Sequence, residues 1–351
     1  MNNIKDLTFE QVLLKVLLPV NFLLSLLIVF HHGFTIDVSY NGSFKPETYG
    51  TNVAIQRYMY NLSECAVPVF FFISAYLFYR TFDGTWSNYK EKINRRVLSL
   101  LVPYIIFCTL GYIKSLVFNG GLGGCNLSNW LLSLWESNTM PLWFIRELMA
   151  LSLLTPIFWK LLKHPVWAIL ICMFIVFLNS LGYISYRSFV YWIPVYLMGA
   201  TLNSLNSDED LILRKVSRNY FGIIVVSVYV ILAWFLPNGI VRQEMTIGQN
   251  SAYVLFRVVT PIICLVIIDW LSMVKIKEHR FMRYSFFVYC MHAPIITLLT
   301  LIYTKMVTKL IDVEIVQYVV VIVCTYFFCV LLAMALQRYT PWLWSVLNGK
   351  R

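Results

Sequence analysis

Apolar stretches of about 17–25 residues, the length that carries a helix across a hydrocarbon core, recur along the whole chain. They fall near 12–32, 61–80, 97–118, 142–160, 166–182, 189–205, 219–237, 251–271, 284–304 and 314–337. The pattern predicts an all-α fold, a polytopic integral membrane bundle of about ten transmembrane helices. The longest stretch outside these runs, about 33–60, is too short for a core of its own. Residues 1–351 are therefore read as a single transmembrane domain with no appended soluble domain. The first run is long, lacks a small-residue cleavage site and is followed by further spans, which predicts a retained helix rather than a signal peptide. No internal repeat is visible, unlike the matched halves of many secondary transporters.

The distribution of basic residues orients the bundle, because cytoplasmic loops are enriched in Lys and Arg. With the N-terminus inside, the inner connections carry Lys90, Lys92, Arg95 and Arg96, then Lys160 and Lys163, then Arg214, Lys215 and Arg218, then Lys275, Lys277, Arg280 and Arg283. Arg338, Lys350 and Arg351 follow in the tail. The outer loops, near 33–60, 119–141, 183–188, 238–250 and 305–313, hold fewer, among them Lys45, Arg187, Arg242, Lys305 and Lys309. Both termini are thus expected in the cytoplasm, and the cell membrane is the expected location.

Composition agrees with the pattern. With 59% hydrophobic and 13% charged residues and a mean hydropathy of +0.70, an ordinary soluble domain is excluded. The net charge of +11 is accounted for by basic loops facing anionic inner-leaflet lipid, so membrane lipids are expected partners and nucleic acid is not. Cys65, Cys108, Cys172, Cys264, Cys290, Cys324 and Cys329 lie in the spans and only Cys125 in an outer loop. Neither a disulfide framework nor a metal-ligand spacing follows, and no metal is expected. Asn-x-Ser triplets at Asn41, Asn61 and Asn126 lie at or near the outer side, but such triplets arise often by chance.

Ionisable side chains inside apolar runs are costly and mark candidate chemistry. His31 and His32 end the first run, where an imidazole can exchange a proton near neutral pH. Two adjacent histidines point to different helix faces, so one at most is expected to enter the bundle. Glu64 opens the second run one turn before Pro68; it can orient a histidine or sit in water at a helix start. Arg146 and Glu147 lie one turn into the fourth run, and as neighbours on a helix they are expected to find partners on other helices. An inward arginine can hold a carboxylate, a sugar oxygen or a developing oxyanion, or simply tie helices together. His292 precedes Ala293-Pro294 in the ninth run, where it can satisfy the carbonyl that the proline frees. Arg257 and Asp269 are read as core partners or interfacial groups, without chemistry.

Several segments in order resemble the acyltransferase family 3 membrane proteins, which O-acylate cell-surface glycans. They are the first run ending in histidine, Val67–Phe78, which is similar to the family's VP-x-FF-x-(I/S)SGY-L-x segment, and Arg95-Arg96 before Leu101-Val-Pro-Tyr104. Leu142-Trp-Phe-Ile-Arg-Glu-Leu148, Tyr196-Leu-Met-Gly199 and Ser285-Phe-Phe-Val-Tyr-Cys-Met-His292 extend the likeness over nearly the whole chain. Two positions depart from it. The family's first helix carries a basic residue eleven positions before its essential histidine, whereas here Asn21 precedes His32 and Val20 precedes His31 by that distance. The choice between the two histidines stays open. Ala75 stands where the family has glycine.

The resemblance implies an O-acyltransferase, foremost an O-acetyltransferase, that takes an acyl group from cytoplasmic acyl-CoA, with acetyl-CoA the expected donor. The acceptor it implies is a hydroxyl of a cell-surface polysaccharide or glycolipid. In that reading a histidine, His32 by spacing with His31 the alternative, activates the hydroxyl or carries the acyl group, and Glu64 orients or neutralises it. Trp143, Arg146, Glu147, Tyr289 and His292 contact substrate, while Lys92, Arg95, Arg96 and Arg283 meet the phosphates of the CoA. Trp130, Trp135, Trp143 and Trp192 are aromatic candidates for sugar stacking or for the interfacial belt. Assembly into a homo-oligomer is left open. The alternatives are a transporter or flippase of a lipid-linked or acylated sugar, whose pathway the same polar groups would line, and a catalytically degenerate family member.

Overall fold

The computed structural model describes residues 8–34, 51–119, 125–137, 140–204, 220–237, 245–274, 276–307 and 313–350. Asn41, Lys45, Arg214, Lys215, Arg218, Arg242, Lys275, Lys309 and Arg351 lie outside the described residues. Every regular element among them is helical. In chain order the helices are α1 (Phe9–His32), α2 (Thr51–Ser63), α3 (Ala66–Tyr79), α4 (Trp86–Arg96), α5 (Val102–Asn119), α6 (Leu127–Glu136), α7 (Trp143–Leu153) and α8 (Thr155–Leu162). They continue as α9 (Pro165–Ser180), α10 (Phe189–Thr201), α11 (Tyr220–Phe235), α12 (Ile247–Met273), α13 (Ser285–Ile302), α14 (Glu314–Tyr339) and α15 (Pro341–Leu347).

Six helical segments are long and apolar enough to cross a membrane: Phe9–His32, Ala54–Tyr79, Trp86–Val117, Ile247–Met273, Arg280–Val307 and Ile315–Tyr339. The chain is a multi-pass membrane protein. The other four expected runs are shorter or broken, for local reasons. Pro156 has no N–H for the Ser152 carbonyl, and the fourth run splits at Leu154 into α7 and α8. Pro165 at its first turn and Gly182, left-handed at φ 81°, confine α9 to 16 residues. The 13-residue α10 rises only about 20 Å, against a hydrocarbon core of about 30 Å. Between the runs, α2 and α6 form where only connections were expected.

The chain folds as two compact units, each built from two stretches of sequence: Met1–Thr81 with Lys160–Arg283, and Phe82–Trp159 with Tyr284–Arg351. In the first, α1 and α12 both open on a Thr-x-x-Gln capping box, Thr8 with Gln11 and Thr246 with Gln249, which satisfies the first free backbone N–H groups of each helix. Lys15 closes the far end of α12, donating from Nζ to the Ser272 carbonyl at 3.1 Å, a cationic cap on the helix's last turn. The tightest crossing is α3 on α10. A Cβ at Gly199 would overlap the Phe72 carbonyl and lie 3.1 Å from the Ala75 Cβ, so only glycine lets the backbones meet. Ala75, the small departure noted above, is buried in the same crossing.

In the second unit, a turn of π-helix at Val97–Leu101 joins α4 to α5. The C-terminal turn after α15 sits against it, with left-handed Gly349 so close to the Ser99 backbone that a Cβ would overlap it. Phe287 of α13 packs between Phe107 and Trp344, at 5.9 and 5.5 Å between ring centroids.

Gly199→Ala should therefore overpack the α3–α10 crossing and cost about 1–3 kcal/mol, read as a lower thermal transition of the detergent-solubilised protein. Gly248→Ala, where an added Cβ meets nothing within 4 Å, should leave the transition unchanged or raise it.

Candidate active site

Pro68 is the local cause of the site. Because it cannot donate to the carbonyl four residues earlier, the helix breaks at Glu64-Cys65, between α2 and α3. The break brings Glu64 beside the last turn of α1. There the two histidines separate: His31 lies against Glu64, with Nε2 3.9 Å from Oε1, while the His32 ring meets the His31 ring edge-on at 5.0 Å.

Hydrogen bonding sets the tautomer of neutral His31. The single Ser63 hydroxyl proton goes to the Tyr60 carbonyl, at 2.6 Å, so Ser63 Oγ accepts from His31 Nδ1–H, at 2.9 Å. Nε2 then carries the lone pair, and Tyr60 stacks on the ring at 4.1 Å to hold its plane. The 3.9 Å between Nε2 and Oε1 exceeds a hydrogen bond. A hydroxyl reaching the two has one proton, to donate to Nε2 or to Oε1 but not to both.

Glu64 is held by a residue to which the sequence reading gave no chemistry. Arg257 of α12 donates to Glu64 Oε2 from Nε at 2.9 Å and from Nη2 at 2.7 Å, and from Nη1 to Tyr191 Oη at 3.0 Å. Its guanidinium also lies 5.0, 5.5 and 5.7 Å from the ring centroids of Tyr253, Tyr186 and Tyr191, a cation–π enclosure. The cation beside the carboxylate thus comes from α12, whereas Lys15 of α1 caps that helix's far end. An arginine inside an apolar run was the available signal.

Further bonds fix these partners. Tyr253 Oη donates to Asn61 Oδ1 at 2.7 Å, and Asn61 Nδ2 donates to the Ala233 and Leu236 carbonyls at 3.1 and 3.3 Å. Fully buried, the Asn61 amide is a structural clamp between α2 and α11 and not an accessible glycosylation acceptor.

The second unit holds a separate set. Arg146 Nε donates to Glu147 Oε1 at 2.6 Å, so these neighbours pair with one another, while Arg146 also has a partner on another helix as expected, Trp135 of α6. The long arginine chain curls back at the start of α7, lying over Trp135 at 5.8 Å. His292 is fully buried and donates from Nδ1 to the Tyr289 carbonyl at 2.7 Å, rather than to the Cys290 carbonyl that Pro294 frees. Tyr289 Oη donates to the Pro141 carbonyl at 3.3 Å, and Phe144 meets the Tyr289 ring edge-on at 6.0 Å. Trp143 is buried beside them in sequence. Of the basic candidates in this unit, Arg95 is exposed and pairs with Glu91 on its own helix. Arg96 donates to Ser152 Oγ at 2.8 Å, and Lys92 lies on the same helix, α4. Arg283, exposed, belongs to the first unit. Among the described residues, no group of three or more His, Cys, Asp or Glu is gathered as a metal ion would require.

A family model described as an acyltransferase domain matches residues 22–334, a range that contains His31, Glu64 and Arg257. No curated protein and no solved structure matches the chain.

Removing Arg257 should leave Glu64 as an uncompensated carboxylate. Arg257→Met is expected to cost about 3–5 kcal/mol, measured as a fall in thermal transition. The double variant Glu64→Gln with Arg257→Met should recover most of that loss, which a merely packing role for Arg257 would not produce.

Proposed function

Since the chain belongs to the acyltransferase 3 family, we propose that it is a membrane-bound O-acyltransferase, and specifically an O-acetyltransferase using acetyl-CoA. The acceptor in this reading is a hydroxyl of a cell-surface polysaccharide or glycolipid, at the His31 end of α1. The chain forms one catalytic domain in the cell membrane, crossing it about ten times with both termini in the cytoplasm. The observation that carries the chemistry is the placing of His31 Nε2 beside the Arg257-held carboxylate, 3.9 Å from Glu64 Oε1.

A substrate hydroxyl bound there surrenders its proton to His31 Nε2 as its oxygen attacks the thioester carbonyl. The carbon–sulfur bond breaks, the ester forms, and the imidazolium returns the proton to the CoA thiolate, so the exchange balances without a further reactant. Glu64 stabilises the transient imidazolium, and Arg257 keeps that carboxylate ionised and aimed. His31 is the base in this scheme because its Nδ1–H is committed to Ser63. Lys92, Arg95 and Arg96 of the second unit supply cationic contacts for the phosphates of the donor in this reading, and Arg283 is a separate basic candidate in the first. Trp143, Arg146, Glu147, Tyr289 and His292 line the route of substrate in the second unit.

The decisive assay follows label from radiolabelled acetyl-CoA into cell-envelope glycan, in membranes with matched protein levels. His31→Ala should lower transfer about a hundredfold or more, Glu64→Gln should lower it less, and His32→Ala should retain it. Transfer lost with His32→Ala alone would move the base to His32. No transfer by folded wild type to any glycan offered would favour movement of a lipid-linked sugar instead.

A further inference from the structure

The connection between α9 and α10, residues 181–188, is short and firmly held. Asn250 Nδ2 donates to the Asn179 and Ser180 carbonyls at the end of α9, at 2.6 and 3.2 Å. Gly182 then reverses the chain at φ 81°, and the Tyr183 N–H returns to the Leu178 carbonyl at 3.1 Å. Trp192, buried in α10, donates from Nε1 to the Tyr186 carbonyl at 2.7 Å. Ser188 closes the segment, its N–H donating to the Ser185 carbonyl at 2.9 Å and its hydroxyl accepting from the Val190 N–H at 3.3 Å as the N-cap of α10. A loop tied at both ends displays its side chains from a fixed backbone, the condition for a selective contact surface.

What it displays is an aromatic and a cation in contact with each other, next to the arginine that holds Glu64. Tyr186 is 42% exposed, yet its ring lies 5.5 Å from the Arg257 guanidinium that holds Glu64. Arg187, exposed, places its guanidinium 5.9 Å from the same ring and donates from Nε to Tyr186 Oη at 3.3 Å. Tyr183, on the same loop, is 77% exposed. An amphipathic ring of this kind presents an apolar face to the C–H face of a pyranose while its edge stays hydrated. A guanidinium beside it adds a planar fork matched to a carboxylate.

We infer that Tyr186 and Arg187 form an acceptor subsite for an acidic sugar, adjoining the sugar whose hydroxyl meets His31 beside Glu64. Tyr186 stacks on the ring and Arg187 pairs with its carboxylate. Because Arg257 already neutralises Glu64, the acidic sugar meets no uncompensated anion on that side. The inference rests on the acyl-acceptor reading of the His31 site and names the class of acceptor.

The test is calorimetric binding to the full chain in phosphatidylcholine nanodiscs, using an oligogalacturonate and a neutral galactose oligomer of equal length, with no donor present. Arg187→Gln should weaken the acidic oligomer about tenfold, the loss of one charge-assisted contact, and leave the neutral one unchanged. Tyr186→Ala should weaken both, and Tyr186→Phe should preserve the neutral oligomer while reducing the preference for the acidic one. Equal effects of Arg187→Gln on the two oligomers, or no binding of the acidic one by wild type, would overturn the inference. So would an Arg187→Gln variant that binds sugar normally but loses thermal stability only in anionic-lipid nanodiscs, which would assign the pair to lipid headgroups. Since binding is read without turnover, its failure leaves the acyl-transfer reading standing, and absent transfer with selective binding intact would overturn only the latter.

Discussion

A carboxylate beside a histidine inside an apolar bundle is possible here because one arginine answers it. Burying an ionised group alone is expensive, and the cost is offset only when charge and hydrogen-bonding capacity are both matched. Arg257 does this asymmetrically. It takes a single oxygen of Glu64 through two nitrogens and leaves the other oxygen facing His31. Much of the first unit serves that arrangement: α12 carries the arginine, α10 supplies Tyr191, the corner before α3 supplies the carboxylate, and α1 supplies the imidazole. Moving any one of these would leave a buried charge with a poor partner, so the packing of the helices and the pairing of Glu64 are coupled.

The second unit resolves its polar groups differently. Arg146 and Glu147 form a local pair, and His292 spends its Nδ1 proton on the backbone of its own helix. Adjacent arginines on α4 also divide their work. Arg96 reaches inward to Ser152, whereas Arg95 remains at the surface with Glu91. One member of that sequence pair anchors α4 and the other faces outward, a distinction that net charge alone does not convey.

The membrane character, the all-helical class and the long spans were legible in the chain because apolar run length is a one-dimensional property. Breaks and shortened helices were harder, since they turn on single residues such as Pro156 and Gly182 that a hydropathy window averages away. In the site, residue type and segment order led to His31 and Glu64 as candidates together with His32. What the fold adds at His31 is its bond to Ser63, whose hydroxyl proton is already committed to Tyr60, a contact that exists only once the α2 corner is folded. Arg257 was visible as a charge in an apolar run but lies 193 residues from its partner in sequence, and no local pattern links them. Arg146 finds a partner on another helix, Trp135, but its bond to Glu147 was not legible: helical geometry sends neighbours apart, yet a flexible arginine at a helix start can curl back.

The break before Pro68 also acts as a ruler. The proline dictates where the backbone turns by counting four residues toward the N-terminus, and the residue at that mark is the carboxylate itself. Each residue inserted or deleted between positions 64 and 68 would rotate the side chain at the corner by about 100°, swinging it from the imidazole toward lipid or a neighbouring helix. The length of this short segment is therefore under tighter constraint than its composition: its apolar residues can be exchanged for others of similar volume, but none can be added or lost.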